Sequence, residues 1–260
     1  MTSHRPLLTH AFDAHQDFKD STLSDKVAVL VPARLKSTRL PNKPLVDLGG
    51  KPLALRVLEQ VARCPEVDQC VLVSDHLPLL SLIEKEGFTG ILIDHSCDSG
   101  TQRIVYGAQE LLKKGWTGRY FINVQGDEPF ISSDALTKVI QALKEGASIA
   151  TVVTPLNDED RLNPHRVKVA LDQHQKALYF SRSPIGFHVH LGVYGFQRHT
   201  LQVGLLPRSP LAIQEDLEQL TWLEAGYSIQ AVQVPYAFQT IDTYDDLEKA
   251  RRLLERKANP

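Results

Sequence analysis

From Val27 onward, short β-rich apolar runs trade places with longer stretches of helical period, the texture of an α/β protein. The runs at 27–31, 70–73, 90–93, 120–124 and 148–153 carry mainly Val, Ile, Leu and Phe, as strands covered on both faces do. Between them, 53–63, 77–86, 102–114 and a segment capped by Ser132 and Ser133 and ending at 143 repeat apolar residues at helical spacing. Leu53, Leu55, Val57, Leu58 and Val61 supply the apolar side of the first helix, Gly87 ends the second, and Ser99 or Thr101 is available to cap the third. Right-handed crossovers put these strands in one parallel sheet, with the loops that leave each strand gathered at its carboxyl edge. Ligands of open α/β sheets bind at that edge.

After Thr154 the pattern changes. Segments 167–171 and 177–181 read as a hairpin across Asp172-Gln173-His174-Gln175-Lys176, and 191–196 and 228–234 as further strands. Helical spacing returns at 199–205 and 211–224, and 244–255 is a closing amphipathic helix. With neither an internal repeat nor a flexible linker, this second part reads as a lobe on or beside the same sheet. The expected organisation is an extension at 1–25 and one domain at 26–260, divided into an alternating first part (26–154), a second lobe (155–235) and a closing loop and helix (236–260).

Composition narrows the function. A hydrophobic share of 42% and a charged share of 23% are ordinary globular values, and a formal charge of −2 gives no basis for nucleic-acid binding, so any phosphate must be held by a local cluster. Cys64, Cys70 and Cys97 are odd in number and lack zinc or disulfide-framework spacing, which points to free thiols in a reducing, cytoplasmic compartment. No apolar run approaches a membrane span, and 1–25 has neither a secretory apolar core nor an Arg-rich face.

The strongest local signal is the stretch Val31-Pro32-Ala33-Arg34-Leu35-Lys36-Ser37-Thr38-Arg39-Leu40-Pro41-Asn42-Lys43-Pro44. A buried strand here ends in a loop with Arg34, Lys36, Arg39 and Lys43, stiffened by three prolines. Such a loop delivers backbone N–H groups and cations to one spot, as a polyphosphate requires. The second signal is Val124-Gln125-Gly126-Asp127-Glu128-Pro129, which puts a carboxylate at a strand end beside a glycine. It reads either as a strand-ending turn or as a magnesium ligand. The third is Ile241-Asp242-Thr243-Tyr244-Asp245-Asp246, where Asp242 or Thr243 is on its own the N-cap of the last helix.

These motifs together resemble the CMP-sugar synthetases, over about residues 27–254. The resemblance implies a Rossmann-like three-layer αβα nucleotidyltransferase fold with a mostly parallel sheet and a smaller inserted β-containing lobe. It implies transfer of CMP from CTP to an acidic keto-sugar, first of all 3-deoxy-manno-octulosonate (Kdo) as in lipopolysaccharide synthesis, with release of pyrophosphate. It also implies Mg2+ on Asp127 and Asp242, catalytic roles for Arg34, Lys43 and Asp127, and a homodimer without nucleic-acid or membrane partners. Glu128 is expected to stabilise its loop. CTP would be held by Ala33, Arg34, Arg39, Lys43, Ser74, Asp75, Ser99, Gly100, Thr101, Arg103 and Gln125, the Ser99-Gly100-Thr101-Gln102-Arg103 segment lying against cytosine.

On the sugar side, Tyr179-Phe180-Ser181-Arg182, His190-Leu191-Gly192-Val193-Tyr194-Gly195 and Leu217-Glu218-Gln219-Leu220 carry the resemblance and imply Arg182, His190, Tyr194, Glu218 and Gln219 as sugar ligands. Four features depart from the pattern. Gln102 replaces a glutamate, Thr221 replaces an arginine, Tyr244 replaces a proline, and the connection before His190 is short. Another acidic sugar, such as a sialic-acid relative or an amino-Kdo, and a nucleotide-binding relative without turnover are the alternatives.

Overall fold

The computed structural model describes residues 23–35, 37 and 39–258. The expected extension at 1–25 falls mostly outside these residues, as does Lys36 of the cationic loop. Nine strands form one sheet, with a spine in the order β3-β2-β1-β4-β8-β5-β9. The first five are β1 (Ser24–Ala33), β2 (Gln69–Ser74), β3 (Thr89–Leu92), β4 (Gly118–Asn123) and β5 (Ile149–Pro155). The lobe adds β6 (Lys168–Leu171), β7 (Ala177–Ser181), β8 (His188–Gln197) and β9 (Ile229–Gln233). The helices are α1 (Leu53–Val61), α2 (Leu77–Lys85), α3 (Gly100–Lys113), α4 (Ser133–Lys144), α5 (Asp158–Arg161), α6 (Pro210–Glu215), α7 (Gln219–Glu224) and α8 (Tyr244–Ala258).

Period-two alternation in β1 divides the core. Val27, Val29 and Val31 face a layer made by α1, α2, α4 and α8, while Ala28 and Leu30 face α3, α7 and the 3-10 turns at Arg198–Leu205. The sheet is therefore sandwiched between helices, the three-layer αβα architecture that the family resemblance implied. Burying each of the Leu, Ile and Val side chains of these layers contributes about 1.5–3 kcal/mol. Close approach is built in at Gly107, where a Cβ would stand 2.6 Å from Val73 Cγ2, so α3 lies directly on β2.

Four features of the lobe differ from expectation. β8 runs antiparallel to both β4 and β5 and separates them, so the first five strands share a direction without forming one uninterrupted parallel sheet. The helix expected over 211–224 is two short helices, because Asp216 takes a left-handed conformation (φ 53°) that ends α6. The 199–205 segment is 3-10, and α5 lies where no element was expected. β6 and β7 do form the expected hairpin, which joins the sheet through β6 and β8.

β2 lies on one side of β1 and β4 on the other, so the chain reverses its winding direction between β1 and β4. That switch point opens a crevice at the carboxyl ends of the strands. Among the described residues no helix is long and apolar enough to cross a membrane.

Candidate active site

A cleft of about 710 Å³ occupies the switch point. Its walls come from the end of β1 (Pro32, Ala33), the following loop (Arg34, Ser37, Arg39, Lys43), the start of α3 (Ser99, Gly100, Arg103) and the turn after β4 (Gln125, Gly126, Asp127), with Asp242 closing one side. The cationic loop is anchored by Leu40, which is fully buried, and by Asn42, whose left-handed conformation (φ 53°) turns the chain into the short 3-10 helix Lys43–Leu45. Leu40 thereby holds the loop down while Arg39 beside it stays exposed.

The Lys43 ammonium gathers the site. It donates to Asp127 Oδ2 at 2.7 Å and to Asp242 Oδ1 at 2.9 Å, bringing together residues 84 and 199 positions away. Arg39 Nη2 adds a third contact, to Asp242 Oδ1 at 3.0 Å. Burial alone would lower the Lys43 pKa, but the two carboxylates outweigh it and hold the ammonium above its ordinary value. The two aspartate loops are also joined through their backbones, since the Ile241 N–H donates to the Asp127 carbonyl at 3.0 Å.

Asp242 and Thr243 divide the roles that the sequence left open between them. Thr243 caps α8: its Oγ1 accepts from the Asp246 N–H, and Asp246 Oδ2 accepts in return from the N–H groups of Asp242 and Thr243. The Asp242 carboxylate is thus free to face Lys43. Ser99, not Thr101, caps α3, its Oγ accepting from the Gln102 N–H.

Gly126 is required by close packing. A Cβ there would stand 2.7 Å from the Pro32 carbonyl oxygen, so the Asp127 turn could not lie against the end of β1. Gly126→Ala is expected to displace that turn, lowering turnover by about 10-fold or more with a stability loss of about 1–3 kcal/mol. Steady-state assay with thermal melting checks this, and an unchanged kcat would show that the close approach is not used.

Of the residues expected to hold a nucleotide, Ala33, Arg34, Arg39, Lys43, Ser99, Gly100, Arg103 and Gln125 line the cleft. Ser74, Asp75 and Thr101 do not line it. Ser74 is fully buried and its Oγ accepts from the His76 N–H, so it shapes the β2 turn. Asp75 pairs with Arg103 at 3.1 Å and steadies that guanidinium, which also donates to the Ile93 carbonyl. Thr101 is fully buried behind the α3 terminus and donates to Glu218 Oε1 at 2.5 Å. Cys97 also lines the cleft, and no pattern around it in the sequence marked it.

Glu128 is buried within its loop. The loop is closed by backbone bonds, Glu128 N–H to the Gln125 carbonyl and Ile131 N–H to the Glu128 carbonyl, while Glu128 Oε2 is buried without a partner. Burial, and then the neighbouring Asp127 charge, pushes its carboxyl up to about 8.

The five residues expected on the sugar side lie outside this cleft. His190 and Tyr194 share a face of β8, with ring centroids 5.1 Å apart, and Gly192 between them lies under Gln125, whose Cγ would be 3.5 Å from a Cβ there. Desolvation lowers the His190 pKa to about 3, so the imidazole is neutral at physiological pH. Thr151 Oγ1 donates to the Val193 carbonyl, so at 3.0 Å it accepts from His190 Nε2, which leaves Nδ1 as the acceptor. Glu218 lines a second hollow of about 490 Å³ that shares Ser99 with the cleft. Gln219 is buried, and Arg182 Nη1 donates to the Pro164 carbonyl.

The family model described as Cytidylyltransferase matches residues 28–229. The chain belongs to the cytidylyltransferase family. It is similar to the 3-deoxy-manno-octulosonate cytidylyltransferase of Chloroherpeton thalassium, at 38% identity over 89% of this chain and 99% of the relative. A similar mitochondrial enzyme of that description in Arabidopsis thaliana is 34% identical over 89% of this chain and 84% of its own length. Among solved structures, a CMP:2-keto-3-deoxy-manno-octonic acid synthetase complexed with CTP superposes with a TM-score of 0.82 at 32% identity, covering 89% of this chain and 99% of that one. The cytidylyltransferase fold is therefore shared across almost the whole described chain.

Proposed function

We propose that this cytidylyltransferase transfers CMP from CTP to Kdo, giving CMP-Kdo and pyrophosphate. The observation that carries the reading is the convergence of Asp127 and Asp242 on Lys43 inside a cleft rimmed by Arg34, Arg39 and the N-terminus of α3. Two carboxylates in an open cleft suit Mg2+, which keeps several waters and shares substrate phosphates rather than filling an all-protein cage. Among the described residues no cluster of three or more His, Cys, Asp or Glu could hold a metal ion. When bound, the ion would offset triphosphate charge and make the attacking hydroxyl more acidic.

The chain's own residues position and neutralise. Arg34, which has no ion-pair partner among the described residues, is available to the triphosphate, with Arg39 and Lys43 beside it. Ser99, Gly100 and Arg103 form the wall against which the cytosine and ribose would lie. The anomeric hydroxyl attacks the α-phosphorus in line and gives up its proton to solvent, and the bond to the β-phosphate breaks to release pyrophosphate as the new O–P bond forms. Arg182, His190, Tyr194, Glu218 and Gln219 are the proposed sugar ligands, with neutral His190 offering Nδ1 as an acceptor, and Gln125 is a proposed CTP ligand. The free thiols suit a reducing cytoplasm, and pairing as a homodimer is inferred from the family resemblance.

Pyrophosphate release from CTP, with Kdo, sialic acid or an amino-Kdo and with or without Mg2+, tests this. Release with Kdo and only with Mg2+ is expected. Preference for another sugar reassigns the acceptor. Absence of release with every sugar, alongside stabilisation by CTP, points to a binding protein without turnover.

A further inference from the structure

A polar chain runs beneath the cleft floor through otherwise apolar packing. Gln125 Nε2 donates to Asn123 Oδ1 at 3.3 Å, Asn123 Nδ2 donates to Thr101 Oγ1 at 3.2 Å, and Thr101 Oγ1 donates to Glu218 Oε1 at 2.5 Å. Asn123 and Thr101 are completely buried, and neither lines the cleft or the second hollow. Asn123 interrupts the apolar run of β4, where a side chain of similar volume without polar atoms would pack at lower desolvation cost. Its presence there calls for a reason beyond stability.

The direction of this chain is fixed by chemistry. Thr101 has one proton to give and spends it on Glu218, so it accepts from Asn123, whose amide must then turn its oxygen toward Gln125. Gln125 must consequently donate with Nε2. Its Oε1 lies over the start of α3, 3.2 Å from where a Cβ on Gly100 would stand. Glu218 at the far end is half-buried, and its desolvation raises its carboxyl pKa against the lowering bonds from Thr101 and Ser99. A buried network of this kind with every middle member paired holds one arrangement.

We infer that Asn123 and Thr101 are positioning residues that set the Gln125 amide in the nucleotide cleft and the Glu218 carboxylate in the neighbouring hollow as one unit. The inference rests on the reading above that Gln125 and Glu218 contact the substrates. Neither buried residue touches substrate; they act by removing the freedom of the two that do. A change in the middle of the chain is therefore felt by both substrates at once.

The decisive variants are Thr101→Val, which keeps shape and deletes the hydroxyl, and Thr101→Ser, which keeps the hydroxyl. At a temperature well below either melting point, Thr101→Val is expected to raise KM for both CTP and Kdo by about 5–10-fold with kcat changed less than about 3-fold, and Thr101→Ser to stay within about 2-fold of the parent. Should Thr101→Val not fold, the cycle of Gln125→Ala and Glu218→Gln tests the same coupling with the middle of the chain intact. The double variant is expected to lose at least about 3-fold less kcat/KM than the product of the single losses. If the single changes at Gln125 and Glu218 raise KM but combine additively, or Thr101→Val lowers only the melting temperature, the relay is overturned while the site reading stands. If Gln125→Ala and Glu218→Gln leave both KM values unchanged, the site reading itself fails and the relay with it.

Discussion

Replacing Asp127 with Asn is expected to lower kcat by about a thousandfold or more and to leave the fold in place. The two side chains have the same shape, and the backbone link on which the turn depends, Ile241 N–H to the residue-127 carbonyl, needs no carboxylate. Lys43 keeps Asp242 at 2.9 Å, so the loop retains its anchor. What disappears is one of two negative charges available to a divalent cation, and with it the charge that strengthens the 2.7 Å bond from the Lys43 ammonium. The pair is partly exposed, with side-chain accessibilities of 17% and 25%, so its loss costs about 1 kcal/mol of stability or less. Pyrophosphate release at saturating CTP, Kdo and magnesium, with melting curves for both proteins, checks the result. A kcat within about tenfold of the parent would remove Asp127 from the role assigned to it.

The same aspartate shows why part of the site is legible from sequence. Residues 32–45, 124–129 and 241–246 are contiguous segments whose turn chemistry sits at strand or helix ends, and α/β winding alone brings strand ends together. The boundaries of β1 to β5 follow from apolar runs for the same reason, although β1 begins at Ser24, three residues before its apolar run. Insertion of β8 between β4 and β5 is set by pairing across long sequence separations, as in Phe121 with Phe196 and Ile149 with Phe196, and no local period encodes it. The break at Asp216 escaped because the apolar spacing over 211–224 continues through it, and a left-handed aspartate leaves no trace in hydropathy. Ser74 and Thr101 sit one layer behind the cleft because a motif gives an address along the chain and not a side-chain direction. Asn123 did leave a signal, a single amide inside Tyr120-Phe121-Ile122-Asn123-Val124, whose meaning depends on partners brought by α3 and α7.

Removal of Lys43 is expected to separate two effects that the parent protein combines. In Lys43→Met the carboxylates of Asp127 and Asp242 lose the ammonium they share, leaving only Arg39, itself exposed, to offset Asp242. Breaking such a partly buried arrangement from one side should cost about 1–3 kcal/mol in metal-free buffer. Added magnesium should restore much of that loss, because a cation bound only by the folded state stabilises it in proportion to the logarithm of its concentration. The parent should gain less, since its own ammonium already occupies the position between the two carboxylates and must be displaced. Turnover should nevertheless fall by about a hundredfold or more, because Met cannot neutralise a phosphate. Lys43→Arg should recover little, as a planar fork does not reproduce a point charge between two acids at 2.7 and 2.9 Å. The test is a magnesium titration of melting temperature for parent and variant beside their kcat values. Equal magnesium responses would mean that Lys43 does not stand in for the cation between Asp127 and Asp242.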